Sequence, residues 1–201
     1  MLGDITEKKA SELTFKEKLI VNFYDVLMSF VGATIVILLM YTFCVKSVAV
    51  DGTSMLPTLQ HGDRLVITAF CTEPERGDII VSTQPNAFGN AGIKRVIATE
   101  NQTVDIDFTT GDVFVDGVLL DEPYINNPTI NSEGVQVPLT VPPNHVFVMG
   151  DNRQGSTDSR SEKIGFIQEE YIFGVAKLKI YNYDKENKEF KFYKLSEWKV
   201  K

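Results

Sequence analysis

At 201 residues the chain has room for one domain of ordinary size plus a terminal segment, with a core large enough to stand without staples, and not for a second large domain. Formal net charge is -7; residues 1 to 46 carry five acidic and five basic groups, so the surplus, 22 acidic against 15 basic, sits wholly on the remainder. That balance argues against nucleic-acid binding, which needs a basic face for the phosphates, and two cysteines, Cys44 and Cys71, cannot form a disulfide framework and read as ordinary thiols.

Residues 1 to 18 are polar and charged and are expected to form a cytoplasmic tail. Val26 to Val45 reads VLMSFVGATIVILLMYTFCV, with no charged residue. At about 1.5 Å per residue such a helix spans roughly 30 Å, the thickness of a bilayer's hydrocarbon layer. The alternative, a buried helix of a soluble core, fits less well because such helices are usually shorter and keep a polar face. A transmembrane anchor is therefore assigned to residues 19 to 45. Lys8, Lys9, Lys16 and Lys18 precede it and only Lys46 follows closely, which predicts a single-pass protein of the cell membrane, N-terminus in the cytoplasm and the chain after residue 46 outside. The small residues of Ser47-Val48-Ala49 leave open a trimming site at Ala49, but the long span and polar leader favour an uncleaved anchor over a secretory signal.

Beyond residue 46 the pattern changes to short apolar runs broken by Gly, Pro and Asp. Lys46 to Val50, Arg64 to Thr68, Asp78 to Ser82, Ile93 to Ala98 and Thr103 to Asp107 read as strands. Val113 to Leu120 reads as a hairpin turning at Asp116-Gly117, where a type I′ turn demands positive φ. His145 to Met149, Gly174 to Tyr183 and Phe190 to Tyr193 supply further strands, and Gln168 to Tyr171 one helical turn. Asp121 to Pro143 holds five prolines, which lack a backbone donor, so a loop or loose edge is expected there. The fold class that follows is mainly β: a coiled or closed antiparallel sheet in a domain of residues 46 to 201, with residues 99 to 143 as an elaboration.

Three segments carry chemistry. Ser54 follows an apolar strand and a bend at Gly52, with Pro57 just beyond, a setting that would hold a hydroxyl in a fixed place. Lys94 lies in GIKRVIA, where strict alternation puts it with Val96 and Ala98 on one face and Ile93, Arg95 and Ile97 on the other. An inward lysine is pushed toward its neutral form, and bringing it from about 10.4 to about 7.5 costs roughly 4 kcal/mol. The third segment, Gly150 to Arg160, reads GDNRQGSTDSR and suits a tight loop of paired carboxylates and guanidinia. Each taken alone has a bland reading: a turn serine, a solvated edge lysine, a solvated surface turn. Together they pair a serine with a base able to take its proton. His61 and His145 lie in polar or proline-rich surroundings, outside any nucleophile elbow, and read as surface histidines. No metal-ligand set and no cofactor motif is present in the sequence.

Ser54-Met55-Leu56-Pro57-Thr58-Leu59, Lys94-Arg95-Val96-Ile97 and Gly150 to Arg160 resemble, in order, the signature boxes of type I signal peptidases, Gram-positive-like in their short chain and single anchor. Gly62-Asp63 and Gly77-Asp78-Ile79-Ile80 fit between the boxes, and the likeness covers roughly residues 20 to 182. The resemblance implies a membrane-bound serine endopeptidase that removes the signal peptides of exported proteins, its partners being those peptides and the lipid bilayer. It implies Ser54 as nucleophile, its backbone N–H as an oxyanion donor, Lys94 as general base, and Ser156 as the serine that hydrogen-bonds the lysine and orients it, with Asp158 and Arg160 shaping the loop. Met55, Leu59 and Ile93 would line small apolar pockets, with substrate bound as an added strand. Two departures stand out: Gly52 occupies a position where some relatives carry an oxyanion-hole serine, and Ala98 to Gln102 replaces a glycine-proline-glycine turn. A self-cleaving repressor-type protease and a catalytically silent homologue acting as an assembly chaperone are the alternatives. The first is disfavoured by the apolar span and the second by the presence of both Ser54 and Lys94.

Overall fold

The computed structural model describes residues 15–69, 73–85, 87–89, 91–181, 183–184, 189–190 and 193–194. Two compact units divide at Phe43 and Cys44. The expected cytoplasmic tail lies outside the described residues up to residue 14, as do Cys71 and the side chain of Cys44.

Among the described residues the first unit is one helix, α1 (Phe15–Cys44), whose last residue falls across the division. It begins four residues before the expected anchor because Phe15 to Leu19, with two lysines and a glutamate, is built of good helix formers. Apolar side chains surround it on all sides, Phe30, Ile37 and Leu38 among them, the pattern of a helix whose solvent is not water. The hydroxyls of Thr34 and Thr42 donate to the carbonyls of Phe30 and Leu38, at 2.8 and 2.7 Å, and so turn back onto the helix. Lys18–Leu39 is long and apolar enough to cross a membrane.

The second unit is built from β1 (Val45–Ala49), β2 (Arg64–Thr68), β3 (Ile79–Ser82), β4 (Gly92–Ala98), β5 (Thr103–Asp107), β6 (Asp112–Val115), β7 (Val118–Leu119), β8 (Leu139–Thr140), β9 (His145–Met149), β10 (Ile167–Gln168), β11 (Ile172–Tyr181), β12 (Tyr183–Asp184), β13 (Glu189–Phe190) and β14 (Tyr193–Lys194). All pairings are antiparallel. The large sheet runs β1-β2-β11-β3-β4-β9-β10, with β14 also on β11, and a smaller sheet runs β7-β6-β5-β8. The fold is thus mainly β, with a curled main sheet whose order ends at β1 and β10, which do not pair with each other among the described residues. Bulges along β11 and between Val96 and Ala98 of β4 supply the bends.

Two apolar layers sandwich the large sheet. Leu65, Ile67, Ile79 and Val81 pack on one face with Val50, Met55 and Leu59. Ile80, Val96, Val146, Val148 and Val175 pack on the other with Ile164 and Ile167. A third cluster joins Ile97, Ala98, Phe147 and Met149 to Val104, Ile106, Val113 and Val115 of the small sheet. Central strands β3 and β4 are therefore covered on both sides, which is why β3 reads as an unbroken apolar run.

Most sequence expectations fall within a residue of the observed strands. The hairpin turns at Asp116-Gly117, both at positive φ (52° and 76°) as a type I′ turn requires. One difference has a physical origin. Asp121 to Pro143, expected as loop or edge, contributes the two-residue strand β8 on β5, and Gly134 bridges to Ser161. Its prolines leave room only for such fragments. The strand expected to end at Tyr183 is β11, which starts two residues earlier and stops at Tyr181. Of the expected Phe190 to Tyr193 strand, the ends fall in β13 and β14, and residues 191–192 lie outside the described residues. The expected turn at Gln168 to Tyr171 is a 3-10 turn over Glu169–Tyr171.

Candidate active site

Ser54 sits on the connection between β1 and β2, a run of tight turns. The backbone is closed on itself by Val50 N to Asp63 O (2.8 Å) and Gly62 N to Val50 O (2.9 Å). Met55 and Leu59 plug the loop into the apolar layer beneath, 2% and 0% exposed. Asp63 accepts from Gln60 N (2.7 Å) and ion-pairs Lys179 of β11 at 2.6 Å, and Lys179 also donates to Thr58 O (3.3 Å). The nucleophile candidate is thus on a loop pinned from below.

Lys94 lies in β4 and is 6% exposed. Its Nζ stands 2.8 Å from Ser54 Oγ and 5.4 Å from the centre of the Phe88 ring. Gly92 makes this possible, since a Cβ there would run into the Phe88 ring. No carboxylate lies within ion-pair distance of Lys94 among the described residues. Burial pulls its pKa below the ordinary lysine value of 10.5, and the more distant charges of Asp158, then Glu133, oppose that pull. Burial wins because the charge of Asp158 is already answered: its carboxylate accepts from Gly150 N, Ser156 Oγ, Arg160 N and Arg160 Nε and Nη2, at 2.8 to 3.3 Å.

The third segment closes the site. Asn152 N donates to Ser54 O (2.9 Å) and Asn152 Nδ2 to Thr53 O (3.1 Å), holding the serine loop from the other side. Gly150 is where the chains approach most closely, since a Cβ there would overlap Ser156 Oγ, Ser156 Cβ and Ser54 O. Ser156 is 4% exposed, and its hydroxyl donates to Asp158 at 2.9 Å. The expected hydrogen bond between Ser156 and Lys94 is not formed: the Ser156 hydroxyl is taken by Asp158, and the hydrogen bond that Lys94 makes goes to Ser54.

A cleft of about 600 Å³ runs past this pair, lined by Val48 to Met55 on one side and by Phe88, Ala91 to Lys94, Thr157 and Ile164 on the other. Small and apolar side chains predominate, as suits a short peptide with little side-chain bulk. Of the three expected pocket residues, Met55 and Ile93 border the cleft, while Leu59 packs in the layer below. Gly52, at φ 102°, directs its N–H to His61 Nδ1 (3.4 Å). His61 is exposed as expected; His145 is half-buried, edge-on to Phe166.

Several residues that hold the site were not singled out in the sequence. Arg95 was placed by alternation on the face away from Lys94, yet it is as buried as any residue in the chain, at 0% exposure. It grips Asp151 with two parallel bonds (Nε–Oδ1 2.8 Å, Nη2–Oδ2 2.6 Å) and donates to Gly77 O (2.9 Å). Thr58 Oγ1 donates to the same carboxylate at 2.5 Å. Asp151 thereby ties the residue after Lys94 to the serine loop. Arg153 is likewise fully buried and pairs with Glu122. The only advance signal was the charge density of GDNR directly after the apolar HVFVM; Glu122 had none. Every buried side-chain nitrogen and oxygen among the described residues finds a partner, as so polar an interior requires.

The chain matches the model of the family described as signal peptidase, peptidase S26, over residues 23–181. It is 40% identical over 155 residues to a "Probable signal peptidase I-1" of Synechocystis sp., covering 72% of this chain and 75% of the relative. It is 31% identical over 167 residues to signal peptidase I S of Bacillus subtilis, covering 78% and 88%. A crystal structure of a signal peptidase I from Enterococcus faecalis V583 aligns with a TM-score of 0.45 at 31% identity, over 53% of this chain and 98% of that one. By the family match over most of its length and by these identities, the chain belongs to the signal peptidases of peptidase family S26.

Proposed function

We propose that the protein is a serine endopeptidase that removes signal peptides from exported proteins, with Ser54 as nucleophile and Lys94 as general base. The observation that carries the assignment of these two residues is the 2.8 Å approach of Lys94 Nζ to Ser54 Oγ at the wall of the cleft. Proximity without a carboxylate partner is what a lysine base needs. Neutral Lys94 takes the proton of Ser54 as Oγ attacks the carbonyl before the cut. The lysine ammonium returns that proton to the leaving amine, which departs with the mature protein. An acyl-enzyme remains, and water, deprotonated by Lys94, releases the signal peptide and restores Ser54. The N–H of Ser54 serves as oxyanion donor. The lysine-orienting role of Ser156 rests on the family resemblance, since its hydroxyl is spent on Asp158 and not on Lys94, and Asp158 with Arg160 keeps the loop in shape. Met55 and Ile93 receive small side chains of the substrate strand, with Leu59 as their floor.

In this reading α1 is a single-pass anchor in the cell membrane with the N-terminus in the cytoplasm, and the β unit works outside. The count of basic residues on either side of the span supports that orientation. A silent homologue has no use for a desolvated lysine against a serine hydroxyl. The test is cleavage of a synthetic signal peptide with an Ala-x-Ala site, in detergent, by wild type, Ser54→Ala and Lys94→Ala. Cleavage after the second alanine that both substitutions abolish is expected. Wild-type protein that is folded and leaves several such peptides intact would overturn the assignment.

A further inference from the structure

The segment after the small sheet's hairpin holds a buried polar chain that the reaction does not use. Tyr124 is 3% exposed, and its ring lies 3.9 Å from the guanidinium carbon of Arg95, the residue next to Lys94. Its hydroxyl donates to Glu122 Oε1 at 2.7 Å. The Glu122 side chain, 7% exposed, receives both terminal nitrogens of Arg153, at 2.8 and 2.5 Å. Arg153 also donates to Thr129 Oγ1 (2.5 Å) and through Nε to Gly150 O (3.2 Å). The Gly150 peptide N–H in turn donates to Asp158, and two residues on Asn152 N holds the Ser54 carbonyl.

Both ends of this chain therefore reach the pair. One end stacks on the arginine adjacent to Lys94, and the other holds the Gly150 carbonyl, one peptide before the Asn152 N–H that braces Ser54. We infer that Glu122 and Tyr124 are positioning residues for the reaction, clamping β4 and the Gly150 to Arg160 loop so that Lys94 and Ser54 keep their separation. Neither residue borders the cleft, so the clamp acts on the reacting atoms and leaves substrate binding alone. Burial, and then the charge of Glu122, push the Tyr124 hydroxyl well above the ordinary tyrosine range, which keeps it a donor at all working pH values. A carboxylate joined by two parallel bonds to a guanidinium is a geometric constraint as well as an attraction, and displacing a reacting group by about 1 Å costs about 100-fold in rate. The residues 99 to 143 are thus part of the machinery through Glu122 and Tyr124.

The inference rests on the Ser54–Lys94 assignment, and the two are separable. Full-length wild type, Ser54→Ala, Glu122→Gln and Tyr124→Phe are assayed on the Ala-x-Ala peptide, with rates divided by the folded fraction from thermal melting. Activity retained by Ser54→Ala sinks the assignment itself. With Ser54→Ala inactive, Glu122→Gln is expected to lower kcat about 100-fold at an unchanged KM, and Tyr124→Phe about tenfold. The double variant is expected to lose no more than Glu122→Gln, because the tyrosine hydroxyl acts through that carboxylate. A kcat per folded molecule equal to wild type overturns the clamp. Should Glu122→Gln fail to fold, Tyr124→Phe decides by the same criterion.

Discussion

Two lysines of this chain are almost equally buried, Lys94 at 6% and Lys179 at 7% exposure, and they are put to opposite uses. Lys179, from β11, meets Asp63 at 2.6 Å and fastens the floor of the serine loop. Lys94, from β4, meets the Ser54 hydroxyl at 2.8 Å with no carboxylate in ion-pair range among the described residues. The contrast teaches that burial alone does not make a base. A buried cation given a carboxylate becomes a tie; given only a hydroxyl and a phenyl ring, it is driven toward the neutral amine that catalysis requires. Asp158, the acidic residue whose charge acts most strongly on Lys94, is withheld by Arg160.

The largest effect should come from exchanging the two lysines' fates. Lys94→Ala is expected to lower kcat by about 10⁴-fold or more, whereas Lys179→Met with Asp63→Leu should keep cleavage within tenfold of wild type, read in the same peptide assay. Equal losses from both would break the distinction between base and tie. Breaking the tie on one side only is worse for the fold: Asp63→Asn removes the carboxylate charge that Lys179 meets while the ammonium stays buried, at an expected cost of about 3 kcal/mol in urea unfolding. Next comes the close approach at Gly150. Gly150→Ala must push Ser156 or the Ser54 carbonyl aside, and strain of about 1–3 kcal/mol with a fall in kcat of about 100-fold is the expected result. An alanine variant with wild-type kcat would show that the two loops can separate without harm.

The smallest effect is in stability against pH, and its sign tests the desolvation of Lys94. The folded pKa of Lys94 lies below its unfolded value near 10.5. Between those two values the unfolded chain binds more protons, so this residue makes stability rise with pH across that window. Below the window the penalty is complete, and above 10.5 it is gone. Lys94→Met should therefore be more stable than wild type at neutral pH, with the gain shrinking as pH climbs through the window, followed by melting temperatures of the two proteins. The rate of wild type should climb with pH as Lys94 loses its proton, with a midpoint below 10.5. A gain independent of pH would remove the desolvation argument.

What could be read in advance followed from local physics. The apolar span needed only its length, and the strands only their period and turn residues, so α1, β2, β5, β9 and the Asp116-Gly117 hairpin were legible within a few residues. Ser54, Lys94 and Gly150 to Arg160 were legible as chemistry through their types, and as a set through a family likeness that the comparisons bear out. The burial of Arg95 was not legible for a definite reason. Alternation distinguishes two faces but assumes one is wet, and β4 is central with both faces covered. Glu122, Thr129 and Tyr124 lay in a proline-rich stretch read as a loop. Their partners Arg153 and Arg95 stand 31, 24 and 29 positions away in the chain, beyond the reach of any local pattern.

The sequence by itself thus determined which segments are helix or strand and which residue types are available for catalysis, because both depend on neighbours a few positions apart. Only the tertiary structure decided which lysine is buried against a serine hydroxyl, which carboxylates are withheld from it, and which ion pairs join the segments around it. Those outcomes are set by burial and by ion pairs between distant segments, and neither exists until the sheets have packed.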